Sequence, residues 1–257
     1  LMGGRAPDGR WGSGALQELD HPPIVQSVAK AAWTVHDASG VGPGVDEAFR
    51  IAGSAHRGPV FVDVPMDVLF TPASYAPPRP DVPAIPQADD ADVARIAALL
   101  RAAQRPVMVL GSDVWADGAE SAARTFVDTS GVPVIANGMA RGILPPDHPC
   151  LVTRARGAAF AGADLVVVVG TPLDFRLGYG RFGDGPAPIV HIADSDDQVA
   201  RHMDLAASAS GDLANVFLRL AREIGDPLAI TEWTTSLRER ARAVIAADAP
   251  DLASDAD

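Results

Sequence analysis

The sequence contains very little cysteine, since Cys150 is the only one in 257 residues. A lone cysteine excludes an internal disulfide and a cysteine-rich metal site, and it ordinarily packs as a small buried hydrophobic residue. The 6 histidines show no HxH or HxxxH spacing, and neither a P-loop nor a GxSxG motif occurs. The sequence therefore predicts no metal site and no serine or cysteine nucleophile.

Basic residues and long apolar runs are also scarce. Acidic residues outnumber basic ones 33 to 21, which gives a net charge of −12. A field of this sign repels phosphate backbones and anionic lipid. No apolar run approaches the ~20 residues of a membrane span, and residues 1–4 lack the features of a signal peptide. We expect a cytoplasmic protein with no nucleic-acid or membrane partner.

The apolar fraction of 47% is sufficient for a large core. Residues 77–86 contain 5 prolines and predict an extended connector. We therefore expect a first domain over 1–72, a linker over 73–88 and a second domain over 89–229. A helix and an acidic, disordered tail are expected over 230–257.

The first domain reads as incomplete. The pattern predicts a glycine-rich loop over 3–14, helices over 16–35 and 45–55, and a Val- and Phe-rich strand over 59–64. A single strand cannot form a stable sheet, because three or more are usually needed. We therefore expect further strands of this sheet to precede Leu1.

The second domain alternates helices with short apolar strands. Helices are predicted over 89–103, 116–130, 154–161 and 212–224, and strands at RPVMVLG, VPVIANG, ADLVVVVG and PAPIVHIAD. A further amphipathic helix is predicted over 231–247. This alternation is typical of an α/β fold, in which a doubly wound parallel sheet is covered by helices on both faces.

Glycine, arginine and aspartate gather in the loops that follow these strands. Ligands of open parallel sheets bind beyond the carboxyl ends of the strands. Glycine allows close backbone approach, arginine offers forked donors to phosphate, and Asp194 is placed to accept a ribose hydroxyl. The loops therefore predict a nucleotide-binding domain. The alternative is that they only form tight turns.

Five segments carry a resemblance to a known family: WGSGALQELDHPPIVQSVAK, GPVFVDVPMDV, RPVMVLGSDVW, VPVIANGMARGILPPDHP and ADLVVVVGTPLDFRLGYG. The chain resembles the thiamine diphosphate enzymes of the acetolactate synthase large-subunit type. ANGMARG and GTPLDFRLGYGRFG are most similar to the actinobacterial acetolactate synthase-like branch, near oxalyl-CoA decarboxylase and 2-hydroxyacyl-CoA lyase. The resemblance extends to about Leu228.

The resemblance implies a fold of three α/β domains. Residues 1–72 are similar to the last part of the pyrimidine-binding domain, and 89–229 to the Rossmann-like central domain. The glutamate that activates thiamine diphosphate, and the GDG…N motif that holds Mg²⁺ and the diphosphate, fall outside this central fragment. The chain alone is therefore expected to be inactive.

The resemblance also implies site residues. Gln17 corresponds to the glutamine of the family's FQE motif, near the thiazolium ring and the substrate, although it also reads as the start of a helix. Pro172 stands where acetolactate synthases usually carry arginine, which leaves FAD, ADP or an empty site as alternatives. The contacts of FAD or ADP would fall on Gly111, Ser112, Arg154, Arg156, Gly170, Thr171, Asp174, Arg176 and Asp194.

The activity implied for the parent enzyme is a transferase reaction of branched-chain amino acid biosynthesis. Pyruvate is decarboxylated and joined to a second pyruvate to give 2-acetolactate. The alternatives are a lyase of the 2-hydroxyacyl-CoA lyase or oxalyl-CoA decarboxylase type, and a non-catalytic nucleotide-binding or assembly module. The implied substrate is a small 2-oxo acid or an acyl-CoA, and the implied assembly is a homodimer or homotetramer.

Overall fold

The computed structural model describes residues 1–74, 84–183 and 187–254. The chain forms two compact units, Leu1–Ile85 and Pro86–Asp257. The boundary between them falls within the predicted linker, of which residues 75–83 lie outside the described residues. Each unit is described separately below.

The first unit is built on a three-stranded parallel sheet in the order β1-β3-β2. Its strands are β1 (Met2–Arg5), β2 (Ala31–Thr34) and β3 (Val60–Pro65). Its helices are α1 (His21–Val25), α2 (Val41–Gly53) and α3 (Met66–Leu69). Because β1 and β2 pair with β3, the prediction of a single strand in this part of the chain is wrong.

The predicted loop over 3–14 and the predicted helix over 16–35 are also wrong in part. Gly3 lies in β1, where a Cβ would approach Phe61 Cζ to 2.5 Å, so the glycine serves close strand packing. Leu16 and Val28 have helical spacing but are 87% and 73% exposed, so the spacing marks no buried face. Helical periodicity stabilises a helix only where the apolar stripe packs against a core.

The second unit is a five-stranded parallel sheet in the order β5-β4-β6-β7-β8, which confirms the predicted α/β class. Its strands are β4 (Pro106–Leu110), β5 (Val134–Ala136), β6 (Leu165–Val169), β7 (Ile189–Ala193) and β8 (Ala207–Ser210). The edge strand β8 was not predicted, because its sequence ASAS carries no apolar signal. The strand order reverses between β4 and β6, which places the topological switch point there.

Helices cover both faces of this sheet. They are α4 (Asp90–Ala102), α5 (Ser112–Ala116), α6 (Glu120–Ser130), α7 (Arg156–Gly162), α8 (Leu213–Ile224) and α9 (Thr231–Ser254). Phe126 of α6 and Phe217 of α8 pack together in the larger core, and Leu237 of α9 is buried in the smaller one. Side-chain oxygens of Asp89 and Asp212 cap α4 and α8.

The last helix is longer than the sequence pattern predicted. α9 continues through residues 248–254, where a disordered tail was expected. Ala249 and Ala253 favour a helix in this segment, whereas Pro250 disfavours it, so composition alone does not account for the continuation. Within the described residues, no helix combines the length and apolar character that crossing a bilayer requires.

Candidate functional site

The two loops at the switch point of the second unit are packed directly on each other. A Cβ on Gly111 would lie 2.3 Å from the carbonyl oxygen of Gly170 and 2.3 Å from Thr171 Cβ. The amide of Asp113 donates to that same carbonyl at 3.0 Å. Gly170 has φ +63°, a conformation that favours glycine. Both predicted glycines therefore fix the geometry of this edge.

The loop after β5 joins the same edge. The Ser112 hydroxyl accepts a hydrogen bond from the amide of Met139 at 3.2 Å. Gly138 is also required here, since a Cβ would lie 2.4 Å from Ser112 Oγ. Ser112 therefore ties the loops after β4 and β5 together.

A groove of about 410 Å³ opens beside these loops. Trp115 and Met139 line it with half-exposed apolar side chains. Arg124 and Arg141 supply positive charge, and Glu120 supplies one negative charge. An aromatic face beside arginines suits a planar ring that carries an anionic group. Sequence reasoning pointed to arginines in the loops after the strands but did not assign Trp115 or Met139 to a site. The sequence feature that could have identified them is a large apolar residue within five positions of the strand ends at Leu110 and Ala136.

The three arginines of the predicted nucleotide site have partners within the protein. Arg176 forms a two-pronged pair with Asp174, with Nη2 2.7 Å from Oδ2, and this pair lowers the pKa of the Asp174 carboxyl. Arg156 donates to the backbone carbonyl of Arg176. Arg154 pairs with Asp248 of α9. A phosphate on this edge would have to compete with these partners.

Buried groups support the loops after β6 and β7. Thr171 and Asp194 are both almost fully buried. His191 of β7 donates from Nε2 to the carbonyl of Thr171 at 3.1 Å, and its Nδ1 accepts from the amide of Ala200 at 3.0 Å. This pattern needs the neutral ring, and burial lowers the pKa of His191. His191 therefore holds both loops in register.

Gln17 lies in a tight loop of the first unit, so its interpretation as the start of a helix is wrong. Its φ is +63°, in the left-handed region that glutamine rarely adopts. The carbonyl oxygen of Gln17 accepts from the amides of Ala6 at 3.1 Å and Leu19 at 2.9 Å. Strain of this kind persists where surrounding contacts enforce it, often at functional sites.

The neighbouring Glu18 organises this loop. Its carboxylate accepts from the amides of Gly12 at 2.9 Å, Gly14 at 2.9 Å and Ala15 at 3.0 Å. These bonds, first that of Ala15, lower the pKa of Glu18. The carboxylate thereby fixes the segment that leads into Gln17.

A buried arginine lies beside the same loop and was missed by sequence reasoning. The Arg5 guanidinium is 3.7 Å from the centre of the Trp11 ring, and its Nη1 donates to Thr34 Oγ1 at 3.1 Å. Arg5 ends β1 and Thr34 ends β2, so both lie at the carboxyl edge of the sheet. Sequence reasoning missed this cluster because Arg5 and Thr34 are 29 residues apart in the sequence.

The sheet order and the helices on both of its faces define the second unit as a doubly wound α/β domain. Residues 93–220 match the family described as thiamine pyrophosphate enzyme, central domain, and this part of the chain belongs to that family. The resemblance found in the sequence is confirmed.

Curated relatives cover most of the chain. It is 42% identical over 226 residues to the acetolactate synthase large subunit IlvG of Mycobacterium tuberculosis, which covers 86% of this chain and 41% of that protein. It is 30% identical over 283 residues to human 2-hydroxyacyl-CoA lyase 2, covering 94% of this chain and 45% of that one. The chain thus spans less than half the length of these relatives.

A solved structure shares the fold. Benzoylformate decarboxylase from Polynucleobacter necessarius superposes with a TM-score of 0.71 at 20% identity, over 87% of this chain and 44% of that one. At this identity the likeness concerns the fold alone.

Proposed function

We propose that the chain serves in a thiamine diphosphate-dependent enzyme of the acetolactate synthase type, which decarboxylates pyruvate and joins it to a second 2-oxo acid. The observation that carries this proposal is the 42% identity to an acetolactate synthase large subunit over 86% of the chain. The identity to 2-hydroxyacyl-CoA lyase is lower, at 30%. We further propose a cytoplasmic homodimer or homotetramer.

Thiamine diphosphate supplies the carbanion chemistry in such enzymes, and the protein supplies binding and orientation. Mg²⁺ with a diphosphate needs several oxygen ligands. Within either unit taken by itself, the described residues bring no three carboxylate, imidazole or thiol groups together. Among the described residues of each unit, no such set of ligands for the diphosphate and its metal is present, and we assign no step to that group.

Gln17 is the residue of this chain that we place at the reacting centre. Its neutral amide can donate a hydrogen bond to an oxygen that gains negative charge as a carbon–carbon bond forms. The rigid backbone around Gln17, held by Ala6 and Glu18, supports such a role. Removal of one such donor costs about 100-fold or more in kcat.

The second unit is proposed to bind FAD or ADP in the groove beside Trp115. The Trp115 ring would stack on the planar ring of the ligand, and Arg141 would face its anionic part. Calorimetric titration of the chain with FAD, ADP and CoA tests this. Trp115→Ala should weaken binding about 10-fold, whereas Phe70→Ala, an exposed aromatic of the other unit, should not. If no ligand binds, the unit is an assembly module.

A second candidate is a lyase acting on 2-hydroxyacyl-CoA or oxalyl-CoA. The observation that favours it is the human 2-hydroxyacyl-CoA lyase 2, whose alignment covers 94% of this chain. The complete product of the gene should be assayed with thiamine diphosphate and Mg²⁺ on pyruvate, on a 2-hydroxyacyl-CoA and on oxalyl-CoA.

We expect 2-acetolactate from pyruvate with the complete gene product, and no product from the 257-residue chain alone. Turnover of an acyl-CoA in place of pyruvate would favour the lyase. Formation of 2-acetolactate by the 257-residue chain alone would contradict our placement of the diphosphate site outside it.

A further inference from the structure

A histidine and a fully buried carboxylate form a pair in the first unit. Nδ1 of His21 lies 2.9 Å from Oδ2 of Asp63, and the Asp63 side chain is 0% exposed whereas that of His21 is 27% exposed. The His21 ring also meets the Phe61 ring edge-on at 6.0 Å. Both contacts come from β3, so one strand fixes the orientation of the imidazole.

The direction of this hydrogen bond assigns the proton. An ionised carboxylate only accepts, so Nδ1 carries the hydrogen and the neutral ring has its lone pair on Nε2. Among residues 1–74, no hydrogen bond engages Nε2 of His21. The pair therefore presents a basic nitrogen on a ring that solvent reaches.

The contact with His21 is the interaction that accounts for a carboxylate buried at position 63. Its Oδ1 has no hydrogen-bond partner among the described residues, so the imidazole is its one hydrogen-bonded neighbour. A buried carboxylate is costly unless it is paired. A buried carboxylate on Nδ1 is also the arrangement that holds an imidazole in one tautomer and stabilises the imidazolium when Nε2 takes a proton.

The pair lies at the edge of the sheet that carries Gln17. Asp63 is in register with Gly3 of β1 and Thr34 of β2, two residues before β3 ends. The Gln17 carbonyl is bonded to the amide of Ala6, which follows the last residue of β1. Ligands of parallel sheets bind beyond this edge.

The other charged groups around the pair do not compete for Asp63. Arg5 is buried beneath Trp11 and donates to Thr34, and no ion pair of 4.0 Å or less joins it to Asp63 within the described residues. Asp20 is exposed and lies 3.8 Å from Arg5. The hydrogen bond to Asp63 is thus made by His21.

We propose that His21, oriented by Asp63, transfers a proton to and from an oxygen of the substrate at this edge. The proposal rests on the proposed function. As a carbon–carbon bond forms at a carbonyl carbon, the C=O π bond breaks and its oxygen takes the proton of Nε2, which leaves the imidazole neutral. In the reverse direction Nε2 removes the hydroxyl proton while the carbon–carbon bond breaks and the carbonyl reforms. Asp63 is a positioning residue.

The decisive variant is His21→Asn, because the Asn amide keeps a donor at the place of Nδ1 and removes only Nε2. A purely structural role for His21 would survive this change. His36→Asn is the matched control, since His36 is 61% exposed and its Nδ1 lies 2.6 Å from Asp8 Oδ2 in the same unit.

In the complete gene product we expect His21→Asn to lower kcat about 100-fold with little change in KM, in the range of general acid–base catalysis. His36→Asn should leave both constants unchanged. Unchanged kcat in His21→Asn would overturn the proposal.

A second measurement on the 257-residue chain does not depend on turnover. The ¹⁵N shifts of His21 should show hydrogen on Nδ1 and none on Nε2 near pH 8, and Asp63→Asn should abolish this preference. Diethyl pyrocarbonate should modify His21 readily.

Hydrogen on Nε2, or an unreactive ring, would overturn the proposal even if the enzyme is active. If the unsubstituted gene product turns over none of the substrates, the proposed function is wrong, and these spectra still decide whether His21 is an oriented, accessible base.

Discussion

Gly111 and Gly170, which immediately follow the neighbouring strands β4 and β6, meet so closely that a Cβ on Gly111 would lie 2.3 Å from the carbonyl oxygen of Gly170. The amide of Gly111 also donates to the carbonyl of Val169 at 2.8 Å, so the backbone cannot withdraw without loss of a strand bond. Backbone atoms therefore fill the switch point, and the groove lined by Trp115 and Arg141 opens beside it.

Gly111→Ala should destabilise the second unit by about 1 to 3 kcal/mol, because the added methyl group forces backbone or Thr171 to shift. Urea denaturation followed by circular dichroism measures the change. Gly157→Ala is the control, since a Cβ there meets no atom within 4 Å and the site is helical. Equal stability of Gly111→Ala and the parent chain would contradict the packing described.

The stability of the second unit should fall as the pH falls below about 7. Burial lowers the pKa of folded His191 below its usual value of about 6.5. Below that value the unfolded chain binds a proton that the folded chain does not, so the free energy of unfolding falls by up to about 1.4 kcal/mol per pH unit. His191→Asn should remove this slope in thermal melts between pH 7.5 and 5.5, whereas His202→Asn should largely keep it. A slope that persists in His191→Asn would assign it to other groups.

Cys150 should react with iodoacetamide only when the second unit unfolds. Burial, and next the charge of Asp128, raise the pKa of this thiol to about 11. At pH 8 only about one thiol in a thousand would then be thiolate, the reactive form. Mass spectrometry should detect slow labelling in buffer and fast labelling in urea. Fast labelling of the folded chain would show that the thiol is accessible.

The loop before Gln17 should loosen when Glu18 loses its charge. The bonds from Ala15, Gly12 and Gly14 lower the pKa of Glu18, so they are fully present above about pH 4.5 and are lost as the pH falls through the lowered value. Glu18→Gln should accelerate amide hydrogen exchange at Gly12, Gly14 and Ala15. Glu47→Gln, whose carboxylate pairs with Arg50, should not. Unchanged exchange in Glu18→Gln would mean that other contacts hold the loop.

The second unit was predictable because its signals are local. Val166 to Val169 are an unbroken run of β-branched valines, which favours a buried strand, and Asp89 and Asp212 cap their helices as their positions suggest. The first unit was not predictable in the same way. Whether residues 16–35 form a helix depends on what their apolar side chains face, and that is decided by β1 and β3 far away in the sequence.

The candidate-site residues also differ in whether the sequence alone could identify them. Gly111 and Gly170 follow apolar strands directly and Asp174 lies in the loop after β6, so the strand ends and the family resemblance both pointed to them. Arg5 and His21 were missed, because their partners Thr34 and Asp63 lie 29 and 42 residues away. No spacing rule connects these positions, because Arg5 and Thr34 meet across a parallel sheet whereas His21 contacts Asp63 of β3 from helix α1.

Because the backbone of Gln17 is left-handed, we expect selection for stability and selection for the proposed activity to favour different residues at this position. Glycine enters that conformation without the steric penalty that a side chain incurs. A library that randomises this single position and is sorted for thermal resistance would therefore enrich glycine. On our proposal for Gln17, the same library sorted for activity of the complete gene product would retain glutamine. The difference in free energy of unfolding between the glycine and the glutamine variants would measure the stability cost of glutamine at this position.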